Sequence, residues 1–359
     1  MNKNRYCVIM AGGIGSRFWP LSRTSRPKQF LDILNTGKTF IRQTYERFLP
    51  LIPPENFLVV THVNYRELVL QEIPELTEDQ ILLEPIGRNT APCIGYASYK
   101  LKMKNPQASV VVTPSDHLVL NQHEFETVVS EGLDFAEQQY ALVTIGIRPD
   151  RPDTGYGYIQ IDTSDRIGTL NRVKTFTEKP TEDVAKMFVD SGEFFWNSGI
   201  FIWRVEDIVR EFYLHLPELN QLFSSILPDY NTTHEAEAIA RIYPECRNIS
   251  IDYGIMEKAE NVYVRCADFG WSDIGTWNAL YRHLPLDDQG NAATGNVVLY
   301  DTHRTIVRTE AEKLAVVQGL DDFIVVNTED VLMICRRDQE QNIRRFVEDL
   351  RQKEGGKFI

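Results

Sequence analysis

Hydrophobic positions in the first half of the chain gather into short runs separated by amphipathic stretches. Residues 6–10, 57–60, 81–83, 110–112 and 141–145 are apolar or nearly so. Runs of this length predict strands buried on both faces. Between them Phe40, Ile41, Tyr45, Phe48 and Leu49 recur at helical spacing, as do Phe125, Val128, Val129, Leu133 and Ala136, with Asn121 placed to cap the second helix. Such alternation predicts an α/β fold, a mostly parallel sheet flanked by helices on both faces. Strand patterns at 157–161, 173–177 and 199–203 extend it, and helical patterns follow at 205–216 and 234–242. The texture changes near Asp287-Asp288-Gln289-Gly290-Asn291. Short strands then return about every nine residues, at 297–300, 305–308, 314–317, 323–326 and 331–335. This is the rhythm of a small β-roll or β-helix-like tail, closed by a charged helix over 339–353. The expected division is an α/β domain over 1–286 and a β-rich C-terminal domain over 287–359.

Composition narrows the function classes. With 43% hydrophobic and 25% charged residues the chain is an ordinary globular protein. A formal charge of −13 argues against a nucleic-acid partner, which calls for a basic face. It leaves room for a nucleotide substrate, which needs only a few local cations. Cys7, Cys93, Cys246, Cys266 and Cys335 are scattered and form no C-x-x-C pair, so neither a disulfide framework nor a zinc site is expected. No run reaches the length of a membrane span, and the apolar run after Lys3 and Arg5 is broken at Gly12. A cytoplasmic protein with no membrane partner is expected.

The chemistry starts at Met10-Ala11-Gly12-Gly13-Ile14-Gly15-Ser16-Arg17, with Pro27-Lys28 beyond it. Three glycines in four positions, directly after a buried strand, offer backbone N–H groups to a polyphosphate without side-chain obstruction. Arg17 and Lys28 add charge, the first as a planar fork and the second as a mobile point charge. A dinucleotide fingerprint is excluded, because Phe18 stands where its third glycine belongs. A Walker A loop is excluded too: Gly37-Lys38-Thr39 has its ending, but Asp32 replaces the first glycine. What remains is a site for a nucleoside triphosphate. In such sheets ligands bind beyond the carboxyl ends of the strands, where the glycine loop, Glu84-Pro85 and Pro114-Ser115-Asp116 all fall.

The glycine loop with Arg17 and Pro27-Lys28 resembles the signature of the sugar-phosphate nucleotidyltransferases, in the form found in mannose-1-phosphate guanylyltransferases (GDP-mannose pyrophosphorylases). Further blocks follow in that family's order: Glu84-Pro85 with Gly87-Arg88-Asn89-Thr90-Ala91-Pro92, Pro114-Ser115-Asp116-His117, Thr154-Gly155-Tyr156-Gly157-Tyr158-Ile159, Phe176-Thr177-Glu178-Lys179-Pro180, Asn197-Ser198-Gly199-Ile200-Phe201 and Gly270-Trp271-Ser272-Asp273-Ile274-Gly275. The resemblance implies a Rossmann-like nucleotidyltransferase fold. It also implies transfer of GMP from GTP to α-D-mannose 1-phosphate, with Mg²⁺ as cofactor and a homodimer as one admissible assembly. Longer relatives add an isomerase module beyond the point where this chain ends.

The residues carry this reading with different force. Asp116, at the exit of an apolar strand, either caps a helix or holds a hard cation. Asp273, in a glycine-flanked turn, favours the cation, and the resemblance makes the two aspartates the Mg²⁺ ligands. It places the nucleotide on Ala11, Gly12, Gly13, Gly15, Glu84, Asn89, Thr90, Ala91 and Ser115, although Asn89 or Thr90 could serve only as a helix cap. Gly157, Glu178, Lys179 and Asn197 take the sugar phosphate, against the alternative of a solvated Glu178–Lys179 pair. Arg17, Lys28 and Lys179 are the expected catalytic cations. A guanylyl- or uridylyltransferase for another sugar 1-phosphate is the alternative within the class. A silent nucleotide-sugar sensor or a dinucleotide-dependent oxidoreductase would be a different class.

Overall fold

The computed structural model describes residues 2–13 and 15–359; Met1 and Ile14 lie outside the described residues. The chain divides into two compact units. The first comprises Met1–Gly12, Thr44–Ser115 and Val119–Trp271; the second comprises Gly13–Gln43, Asp116–Leu118 and Ser272–Ile359.

The first unit is built on a nine-stranded sheet. From one edge, the strands run β3 (Ile81–Glu84), β2 (Phe57–His62), β1 (Arg5–Met10) and β4 (Ser109–Pro114), followed by Phe194–Arg204, Leu142–Ile147, Val262–Ala267, Leu170–Glu178 and Gly157–Ile167. The pairs β1–β2, β1–β4 and β2–β3 are parallel, as is Leu142–Ile147 with Val262–Ala267. Phe194–Arg204 enters antiparallel to β4, to Leu142–Ile147 and, at its start, to Gly157–Ile167. The apolar runs become strands because both sheet faces are covered. Tyr6 and Val8 pack with Tyr96, Tyr99 and Leu101 of the helix Thr90–Lys104, and Phe212 and Phe223 complete that layer. On the helix Gln122–Gln138, capped by Asn121, Gly132 lets Ile202 and Val143 approach its backbone. Met10 lies level with Pro114, and His62 with Glu84, so β1, β3 and β4 end on one rim of this unit.

The second unit contains the β-rich tail. Asn296–Tyr300 pairs parallel with Leu314–Gln318, and Ile306–Thr309 pairs parallel with Phe323–Asn327, each with a register offset of 18 residues. Two strands per coil of this length explain the nine-residue rhythm in the sequence. Leu332–Arg336 turns back antiparallel, and the helix Ile343–Glu354 follows. Phe18, Trp19, Ile33 and Phe40 join Trp277, Ile306, Ile324, Val326, Ile343 and Val347 in one apolar cluster. The segment after the glycine loop therefore shares a core with the tail. Arg308 donates to the carbonyls of Ile33 (2.6 Å) and Asp32 (2.9 Å), and the Trp19 indole donates to Phe358 O (2.7 Å).

Candidate active site

In the second unit, Gly15 has φ +66°, and a Cβ there would lie 2.5 Å from the Lys28 Cβ. A side chain at this position would therefore meet both a left-handed backbone and an occupied space. Lys28 is only 3% exposed. Its Nζ pairs with Asp116 Oδ2 at 3.0 Å and donates to the main-chain oxygens of Asp116 (3.1 Å) and Asp273 (2.7 Å). Its charge also lies over the rings of Phe18 and Phe40, 5.6 and 5.1 Å from their centroids. Sequence reasoning made Lys28 a mobile point charge; burial among these rings and carbonyls fixes it instead. Burial would raise the Asp116 carboxyl, but Lys28 and His117, whose Nε2 lies 4.0 Å from Asp116 Oδ1, bring it below the usual carboxylate range. Asp116 is thus held ionised. Asp273 Oδ1 accepts from the Gly275 N–H at 2.9 Å.

One ammonium therefore gathers the loops carrying both candidate Mg²⁺ ligands. Among the described residues no group of three or more His, Cys, Asp and Glu side chains could hold a metal. Two aspartates fit Mg²⁺ of the kind that completes its shell with water and substrate phosphates. Arg17 lies in the same unit. Its Nε is buried with no hydrogen-bond partner among the described residues, and burial, with Arg344 nearby, lowers its pKa. A half-buried guanidinium with an unspent N–H is suited to a phosphate.

In the first unit, Glu84 ends β3 with only 4% exposure. Oε1 accepts from the hydroxyl of Tyr243, and a Cβ on Gly12 would lie 3.0 Å from Oε2. Burial pushes the carboxyl up to about 7, with the Tyr243 hydrogen bond acting the other way. Asn89 caps the helix Thr90–Lys104, its Oδ1 accepting from Thr90 N at 2.8 Å, and Thr90 Oγ1 accepts from Ile251 N at 2.8 Å. The Ala91 N–H donates to Ile249 O at 3.1 Å. Backbone groups of Ala11 and Ser115, also expected at the nucleotide, bond within the scaffold. Ala11 donates to Val60 O (2.8 Å) and accepts from Thr61 Oγ1 (2.9 Å). Ser115 donates through its N–H to Met10 O (3.1 Å), and its carbonyl accepts from Thr44 Oγ1 (3.1 Å). Their backbone groups pin the strand ends.

The same unit brings Gly157, Glu178, Lys179 and Asn197 together. Gly157 pairs with Glu178 across the hairpin, and a Cβ on Gly157 would overlap Glu178 Oε2. Lys179 Nζ pairs with Glu178 Oε1 at 2.7 Å while remaining 60% exposed, so its charge is available to a ligand. Asn197 Nδ2 donates to Asp252 Oδ1 at 2.7 Å. Asp252 opens the π-helical turn Asp252–Met256, and burial, then the neighbouring Glu178, raises its pKa. Sequence reasoning missed Asp252 and Tyr243. Neither stands in a motif that singles it out.

A sequence profile described as nucleotidyl transferase matches residues 6–289, and one described as a MannoseP isomerase/GMP-like beta-helix domain matches 295–350. The chain belongs to the nucleotidyl transferase family. This nucleotidyl transferase is 35% identical over 96% of its length to a mannose-1-phosphate guanylyltransferase of Escherichia coli, covering 75% of that protein. It is 33% identical over 98% of its length to one of Klebsiella pneumoniae, again covering 75%. The crystal structure of a mannose-1-phosphate geranyltransferase from Thermus thermophilus superimposes with a TM-score of 0.87 at 32% identity, over 97% of this chain and 99% of that one. The expected architecture, a Rossmann-like sheet with flanking helices and a β-helix-like tail, is the fold of this nucleotidyl transferase. Its general chemistry is nucleotidylyl transfer to a sugar 1-phosphate. No helix among its described residues is long and apolar enough to cross a membrane.

Proposed function

We propose that this nucleotidyl transferase converts GTP and α-D-mannose 1-phosphate into GDP-mannose and pyrophosphate, with Mg²⁺ held by Asp116 and Asp273. A phosphate oxygen of the sugar phosphate attacks the α-phosphorus of GTP. The new P–O bond forms as the bond to the bridging α–β oxygen breaks, and pyrophosphate leaves in line. A sugar phosphate is already ionised at neutral pH, so the attack needs no side-chain base. When bound, the cation neutralises phosphate charge and orients the triphosphate. Arg17 donates to phosphate oxygens, and Lys28 holds the two aspartate loops in place by its contacts to Asp116 and Asp273. Lys179 neutralises the sugar phosphate, while Glu178, Asn197 and Asp252 offer acceptors and a donor to hydroxyls.

The observation that carries this reading is the Lys28 knot: a buried ammonium joined to the loops of both aspartates, with an unspent guanidinium N–H on Arg17 in the same unit. Glu84 supports guanine. An ionised carboxylate only accepts hydrogen bonds, and guanine presents a ring N–H and an exocyclic amine where adenine presents a ring acceptor. The names of the relatives at 33–35% identity support mannose 1-phosphate. Pyrophosphate release measured with GTP, ATP, UTP and CTP against mannose, glucose and galactose 1-phosphates tests the assignment. The pair GTP and mannose 1-phosphate should exceed every other combination. Equal use of the four nucleotides would remove the guanylyl reading, and preference for another sugar phosphate would remove mannose.

A further inference from the structure

We infer that Tyr243 is a positioning residue for base selection: its hydroxyl orients the Glu84 carboxylate that reads the guanine edge. The inference rests on the assignment of Glu84 to the base. Tyr243 is fully buried at the head of the turn Tyr243–Glu245, and its hydroxyl donates to Glu84 Oε1. Its ring packs edge-on against Phe223, with centroids 6.4 Å apart. A phenol clamped in this way fixes one carboxylate oxygen, and the planarity of the group then fixes where Oε2 sits.

Neighbouring contacts show that 243–251 also braces the 84–91 loop at Arg88, Thr90 and Ala91. Arg88 Nη2 donates to Pro244 O at 2.5 Å, Ala91 N to Ile249 O at 3.1 Å, and Ile251 N to Thr90 Oγ1 at 2.8 Å. Tyr243 is the member of this brace that reaches the side chain carrying base chemistry. A carboxylate free to rotate would accept a donor pair in many orientations; one held at Oε1 meets guanine's two N–H groups in a single plane. The hydroxyl also favours the ionised form, the only one that can accept both donors. Besides Tyr243, titratable groups close to Glu84 among the described residues include His62, level with it on β2, and Cys93 of the helix Thr90–Lys104, whose thiol is raised by burial and then by Glu84.

The test is Tyr243→Phe, which keeps the ring and removes the donor. KM for GTP should rise about tenfold, within the range for a hydrogen bond to a charged group. The KM for mannose 1-phosphate and the kcat should move less than about threefold, and the preference for GTP over ITP, which lacks the exocyclic amine, should narrow. Loss of the donor raises the Glu84 pKa, so the acid limb of kcat/KM for GTP should shift to higher pH, and the deficit should shrink as pH rises. Glu84→Gln is measured alongside. If Glu84→Gln abolishes GTP preference while Tyr243→Phe leaves the GTP KM and the acid limb unchanged, the inference is overturned and the base assignment stands. If Glu84→Gln retains full GTP preference, the base assignment falls and the inference with it. Equal weakening of both substrates in Tyr243→Phe, with a lowered Tm and an unmoved acid limb, would make Tyr243 structural only and overturn the inference.

Discussion

Replacing Glu84 by Gln should change stability and nucleotide affinity in opposite directions across one pH window. The carboxyl ordinarily titrates near 4.5, and burial raises it to about 7 in the folded chain, partly offset by the Tyr243 hydrogen bond. A group raised on folding contributes stability that is fully present below its unfolded value and lost as pH climbs through its folded value. The interval from 4.5 to about 7 corresponds to roughly 3–4 kcal/mol at about 1.4 kcal/mol per pH unit. Between pH 5 and pH 8 most of it, about 2–3 kcal/mol, should disappear. The amide in Glu84→Gln does not titrate. Denaturant unfolding of the two unliganded proteins at pH 5, 6, 7 and 8 should therefore show the stability difference, parent minus variant, falling by about that amount. GTP affinity of the parent should rise over the same window, because guanine's N–H groups need the ionised carboxylate, while the variant's should stay flat. A stability difference that is constant or grows with pH would refute the reasoning, since it would mean that Glu84 is ionised in the folded chain well below pH 7.

Three other substitutions probe the remaining parts. Asp116→Asn should lower kcat by roughly 10²–10³ in a folded protein at saturating Mg²⁺, comparable to losing one transition-state donor; near-normal turnover would remove Asp116 from the metal set. Lys28→Met keeps the stem against Phe18 and Phe40 but strips the ammonium from the Asp116 carboxylate, and should cost about 3–5 kcal/mol in unfolding free energy. Adding Asp116→Asn to that variant should recover part of the loss, and strict additivity would show that the two side chains are not coupled. Lys179→Ala should raise KM for mannose 1-phosphate about ten- to two-hundredfold with GTP little affected, as separate substrate titrations would show.

Much of the scaffold was legible because burial writes itself into runs and periods. The five apolar runs became β1–β4 and Leu142–Ile147, and Asn121 caps its helix as its position before Gln122 implied. The nine-residue spacing of the tail was half of an 18-residue coil. Its partners were less legible: Phe18, Trp19, Ile33 and Phe40 are far from the tail in sequence, yet they complete its apolar cluster. Residue type identified the chemistry of Lys28 but not its burial, which depends on rings at Phe18 and Phe40 and on carbonyls at Asp116 and Asp273. Tyr243 and Asp252 stayed hidden because their roles are tertiary. Each acts through one hydrogen bond to a residue remote in sequence, Glu84 or Asn197, and no local pattern records such a bond.

The central claim, that a nucleotidyl group moves from GTP to mannose 1-phosphate, is tested most directly by following the phosphorus atoms. GTP labelled separately at the α- and γ-phosphates is incubated with the protein, Mg²⁺ and mannose 1-phosphate, and the products are separated and identified by mass. The account predicts the α-label in GDP-mannose and the γ-label in pyrophosphate, in equal amounts. A γ-label on the sugar, or on orthophosphate with GDP as the other product, would mean phosphoryl transfer or hydrolysis and would contradict it.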